Sequence, residues 1–117
     1  MTAETFTIRK GDRLPRLFYQ FPFSLADAQA VTFSARDSAG VVFINRQAAV
    51  IADGVYEIDG VQTTYTPEDG VVFYPWAAPD TATARSAKGL FHIEWPGSLQ
   101  ESLPSEGFVH LSIEDNF

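Results

Sequence analysis

Chemistry in a small chain must come from its titratable and nucleophilic side chains, and the imidazoles among them are few. There are two histidines, His92 and His110, each on the polar side of a segment that alternates like a strand. If those strands pair, the two imidazoles could face each other, an arrangement suited to a metal or to acid–base work. No carboxylates stand around them at ligand spacing, so two surface histidines are the expected reading. Serine, aspartate and histidine all occur, but no G-x-S-x-G elbow surrounds a serine. Neither G-x-x-x-x-G-K-[ST] nor G-x-G-x-x-G is present to cradle a phosphate. The acidic run Asp53-Gly54-Val55-Tyr56-Glu57-Ile58-Asp59-Gly60 lacks the alternating ligands and closing glutamate of a calcium loop, so a solvated hairpin is expected. With no cysteine in the chain, disulfides and thiolate sites are excluded. No catalytic residue, metal ligand or cofactor is assigned, and the chain is expected not to be an enzyme.

Two other residue classes could serve a partner. Trp76, Trp95, Tyr74 and Tyr65 could stack on sugar rings, and Tyr74 with Trp76 forms the platform of an alternative reading, a stand-alone carbohydrate-binding module. Trp95 shares a face with Phe91 and Ile93, which assigns it to the core. The charges are segregated along the chain. Arg9, Lys10, Arg13 and Arg16 crowd its start against Glu4 and Asp12, whereas every charge from Asp53 to Asp69 and from Glu94 to Asp115 is acidic. A net charge of −7 argues against nucleic acid, which needs clustered lysine and arginine. Either these acids merely solubilise the surface, or the basic segment of Arg9, Lys10, Arg13 and Arg16 meets an acidic face on a neighbouring copy or partner.

The elements that must carry these residues are strands. Phe6 and Ile8 alternate with polar residues. Leu17 to Phe21 follows, and Val31-Thr32-Phe33-Ser34-Ala35-Arg36 puts Val31, Phe33 and Ala35 inward. Asp37 to Gly40 turns the chain into a hairpin arm at Val41 to Asn45. Further strands are expected at Gln47 to Ala52, Val55 to Ile58, Val61 to Tyr65 and Val71 to Trp76. Gly89 should launch Leu90 to Trp95, and Phe108 to Glu114 closes the chain with Val109, Leu111 and Ile113 inward. One short helical segment is expected near 77–87, with a cap at Asp80 or Thr81. Turns at this spacing indicate an all-β sandwich or barrel, with a sandwich the expected one, and 117 residues are expected to form one domain spanning 1–117, with nothing appended. The apolar runs are too short for a membrane helix and the N-terminus lacks a leader pattern. A soluble protein made in the cytoplasm, without membrane partners, is expected.

Several of these segments carry a family resemblance in order along the chain. Phe6-Thr7-Ile8-Arg9-Lys10-Gly11-Asp12-Arg13-Leu14-Pro15 resembles the opening of the N-terminal domains of phage upper-baseplate (BppU-like) proteins. Val31 to Asp37 with Gly40, then Asp69-Gly70-Val71-Val72-Phe73-Tyr74-Pro75-Trp76, resemble that family's next strands. Asp80-Thr81, Gly89 to Trp95, and finally Pro104, Phe108 and Ile113 are similar to its closing segments. The resemblance implies an immunoglobulin-like antiparallel β-sandwich acting as a virion structural protein, an adaptor or assembly module of the tail, baseplate or neck. It implies other virion proteins as partners, symmetric copies in a ring or adaptor, and localisation in the virion after synthesis in the host cytoplasm. At the Gly11 to Pro15 corner, Asp12→Ala is expected to weaken folding more than binding.

Overall fold

A computed structural model describes residues 5–13, 16–58, 60–103 and 108–115. Leu14, Pro15, Asp59 and Pro104, named above at turns and motifs, lie outside the described residues, as do Glu4 and Glu106. The strands, in chain order, are β1 (Thr5–Arg9), β2 (Leu17–Gln20), β3 (Ala30–Asp37), β4 (Val42–Ala48), β5 (Val50–Ile51) and β6 (Gly54–Ile58). They continue as β7 (Val61–Tyr65), β8 (Val71–Tyr74), β9 (Arg85–Trp95), β10 (Leu99–Leu103) and β11 (Val109–Glu114).

Period-two alternation sorts these strands into layers. The larger sheet runs β1-β11-β9-β3-β4, with β10 extending the β11 side of β9; a second sheet runs β2-β8-β5, and β6 and β7 pair as a two-stranded sheet. Val31, Phe33 and Ala35 of β3, Phe91 and Ile93 of β9, and Val109, Leu111 and Ile113 of β11 all point into one core. Leu17, Val72, Tyr74 and Trp76 close it from the other side. At its centre, Phe33 lies 4.7 Å from Phe91 and 5.1 Å from Tyr74, centroid to centroid, within the range where ring pairs add to simple burial. The architecture is therefore all-β and sandwich-like, with every expected inward residue of β3 and β11 buried.

Strand β8 is buried on both faces, and this adds a third layer. Val72 and Tyr74 face the main core, while Val71 and Phe73 join Ala52 in a second cluster with Phe18, Tyr56 and Tyr65. A two-stranded hairpin is marginal by itself. Here Tyr56 packs on Phe73 at 5.3 Å and on Phe18 at 6.3 Å, which holds β6–β7 against the outside of the second sheet.

Four expectations need correction. The helical segment near 77–87 is only a 3-10 turn at Ala78–Thr81, because Arg85 to Gly89 find strand partners on β11 and much of that stretch also pairs with β3. Gly89 lies inside β9 rather than at its start, where the Phe33 ring occupies the space a side chain would need. The single strand expected at Gln47 to Ala52 is two: β4 ends in the larger sheet, and β5 pairs with β8 in the other. The sandwich is not wholly antiparallel, since β1 and β11 pair in parallel from Thr5↔His110 to Arg9↔Glu114. Strand β10 carries no sequence signal of its own: Leu-Gln-Glu-Ser-Leu has no period-two apolar pattern.

Candidate interaction surface

The two histidines do not meet. Strands β9 and β11 pair, but in a register that sets His110 opposite Lys88, whereas His92 lies opposite Thr32 and Ser102. His92 Nδ1 and Ser102 Oγ share a hydrogen bond of 3.0 Å. Arg46 on β4 reaches Gln100 on β10, its Nη1 donating to Oε1 at 3.4 Å, and so crosses over β3 and β9. Burial, and then the Arg46 charge, hold the His92 imidazole below its ordinary pKa. Among the described residues, no group of three or more His, Cys, Asp or Glu could hold a metal ion.

The sugar platform of the alternative reading does not form either. Tyr74 and Trp76 are each 2% exposed, with Trp76 stacked on Phe6 at 5.8 Å and edge-on to Tyr74 at 5.3 Å. These rings build the core and offer no face to a glycan. The Tyr74 hydroxyl donates to the buried carboxylate of Asp80 at 2.5 Å, and the Ala77 N–H donates to the same oxygen at 2.8 Å. Asp80 thereby closes the 3-10 turn that follows β8. Burial, reinforced by Asp80, raises the Tyr74 pKa well above the ordinary phenol range.

The four N-terminal cations are exposed, and they make contacts to the body of their own chain. Arg9 pairs with Glu114 at 3.5 Å and donates to the Asp115 carbonyl at 3.2 Å. Arg13 Nε donates to the Trp76 carbonyl at 3.0 Å, and the Arg16 guanidinium lies 5.2 Å from the centre of the Phe73 ring. The Lys10 backbone N–H donates to the Glu114 carbonyl at 2.7 Å. At the adjoining corner the Gly11 N–H donates to the Thr81 carbonyl, and Thr81 Oγ1 donates to the Asp12 carbonyl, both at 2.8 Å. The bonds that fix Asp12 thus run through its main chain, and Thr81 is the side chain that holds the corner.

The remaining four cations all lie on β3, β4 and β9: Arg36, Arg46, Arg85 and Lys88. Arg85 is consumed by Asp37 at 3.4 Å and by the Phe43 ring at 4.3 Å. Arg36 and Lys88 are different. Strand register places Arg36 opposite Lys88 and Lys88 opposite His110, a row of three bases across β3, β9 and β11 on the outer face of the larger sheet. Like charges directly opposite in a sheet are unfavourable. Neither Arg36 nor Lys88 joins an ion pair among the described residues. Both instead flank the half-buried ring of Phe108, at 5.3 and 5.5 Å from its centre. Phe108, Leu90 and Val42 line an apolar groove between them, and a more polar depression of 510 Å³ continues past His110 to Thr5 and Ser112. Alternation in the sequence puts Arg36 and His110 on polar strand faces, whereas Lys88 falls between the expected helical segment and the strand expected to start at Gly89; the strand that carries Lys88 and the register that aligns all three come from the fold.

No protein family's sequence profile, no curated protein and no solved structure matches this chain.

Proposed function

We propose that this chain is an immunoglobulin-like structural module of a phage virion, an adaptor or assembly part of the tail, baseplate or neck. The observation that carries the reading is the Arg36–Lys88–His110 row around Phe108. A basic and apolar surface in a chain of net charge −7 suits docking against an acidic protein neighbour, where opposite potentials set register and partner choice.

Strand order supports the fold part of the reading. β11-β9-β3-β4 stand as G-F-C-C′ would, and β2-β8-β5 as B-E-D would, in a variable-type immunoglobulin sandwich. Phe33 on β3, fully buried against Phe91, takes the place of the buried tryptophan of strand C. The ordered segments similar to phage upper-baseplate domains support the virion part, which rests on that resemblance by analogy. The carbohydrate-binding alternative loses its two assigned rings to the core.

Purified particles provide the test. Mass spectrometry should find the chain in stoichiometric copies, and a cryo-EM map should place it in a symmetric ring or collar. Its absence from particles that assemble normally would overturn the reading.

A further inference from the structure

We infer that the outer face of the larger sheet is a receptor for the β6–β7 hairpin of a second copy of this chain, so that copies join head to tail. The inference rests on the assembly reading for its biological setting, but the contact itself is argued from two surfaces of one molecule. The first is the groove of Phe108, Leu90 and Val42 bordered by Arg36 and Lys88. The second is the hairpin.

The hairpin has complementary chemistry. From Asp53 to Asp69 the sequence has acids and no bases. In the β6–β7 register Val55 lies opposite Thr64 and Glu57 opposite Gln62. Alternation puts these four on the face turned away from Tyr56, which packs inward on Phe18 and Phe73. That outward face carries Val55, 63% exposed, beside exposed Glu57. Glu57 joins no ion pair among the described residues. One surface thus offers bases around an apolar groove, and the other an acid beside a protruding apolar side chain. Seating Val55 near Phe108 would bring Glu57 towards Arg36 and Lys88, offsetting the repulsion within the basic row.

Placement determines the kind of assembly. The receptor is the outside of the larger sheet, and the hairpin covers the outside of the second sheet, so the two lie on opposite sides of a three-layer stack. A contact between them leaves one receptor and one hairpin free on the resulting pair. Such heterologous contacts propagate, closing into a ring or continuing as a filament according to the rotation per step.

Sedimentation of the purified chain from micromolar to millimolar concentration, in low and high salt, tests this. Wild type should grow beyond dimer with concentration, and added salt should weaken that growth. The double variants Arg36→Ser/Lys88→Ser and Val55→Ser/Glu57→Ser should each weaken self-association by about tenfold or more. All four substituted side chains are exposed, and unchanged circular dichroism and melting would verify folding. Mixed together, the two variants should form a 1:1 dimer and nothing larger, because each retains one intact surface. A wild type that stays monomeric in low salt, or variants that associate as wild type does, would overturn the inference. Self-association by a chain missing from particles refutes only the virion reading; a chain present in particles but monomeric in solution refutes only this contact.

Discussion

Replacing Asp80 by alanine tests the polar lock beneath the core. Asp80 is 6% exposed and its Oδ2 accepts from both the Tyr74 hydroxyl and the Ala77 N–H. Asp80→Ala orphans both donors. The Tyr74 hydroxyl is enclosed, and leaving such a group unpaired costs roughly 1–3 kcal/mol. The Ala77 N–H sits on an exposed residue and can recover water, so its loss adds about 0.5–1 kcal/mol. The total, about 1.5–4 kcal/mol, is a large share of the roughly 5–15 kcal/mol that stabilises a typical domain. Tyr74→Phe removes one donor and leaves Asp80 bonded to Ala77, so about 1–2 kcal/mol is expected. In the double variant neither the phenol nor its acceptor remains, and its cost should fall short of the sum by at least about 1 kcal/mol. Urea unfolding followed by tryptophan fluorescence suits the measurement, because Trp76 lies 5.3 Å from Tyr74. The pH dependence gives a second readout. Because its pKa is raised on folding, Tyr74 holds its proton more tightly in the folded state than in the unfolded chain. Its contribution is whole below the unfolded phenol pKa of about 10 and is lost as pH climbs above it. Tyr74→Phe should flatten that alkaline loss. Strict additivity of the two substitutions, or a Tyr74→Phe variant costlier than Asp80→Ala, would refute the lock.

Other perturbations should separate backbone from side-chain causes. A methyl group on Gly89 would lie 2.4 Å from Cζ of Phe33, which is fully buried, so Gly89→Ala should lower stability by about 1–3 kcal/mol in urea titration. At the Gly11–Asp12 corner, Thr81→Val removes a fully buried hydroxyl that donates to the Asp12 carbonyl. It should cost about 1–2 kcal/mol, and Asp12→Ala less, by thermal melting. His92 has a lowered folded pKa, so its contribution is whole above the unfolded histidine value of about 6.5 and is lost as pH falls below it. His92→Gln should flatten that acid limb of the melting-temperature profile.

Where the sequence was legible, one face of a strand was apolar and the other polar. Val31-Phe33-Ala35 and Val109-Leu111-Ile113 show this, and all six residues are buried. Legibility failed where partners rather than side chains decide the structure. Ala-Thr-Ala-Arg-Ser-Ala-Lys-Gly, at 82–89, contains small residues that suit a helix, yet its second half is held by strands on both sides. Leu99 to Leu103 forms a strand because β9 offers it an edge. Tyr74 and Trp76 are residue types more often found in the core of an all-β domain than on its surface, and both are buried. Tyr74's fate was set by a buried hydroxyl partner, Asp80, six residues further along the chain. The basic row has the same origin: Arg36, Lys88 and His110 are far apart in sequence and become neighbours only through register.

The parallel pairing of β1 with β11 has a mechanical consequence. If Thr5 is drawn toward the N-terminal side and Glu114 toward the C-terminal side, the two strands are pushed past each other along their length. The rungs from Thr5↔His110 to Arg9↔Glu114, with the Lys10–Glu114 bond beyond them, then bear the load together rather than opening one after another like a zip. Rupture under such tension is governed by the unfolding rate, and shearing the whole ladder at once raises the barrier that sets it. The geometry therefore gives this small domain resistance to a pull along the direction in which its terminal strands run.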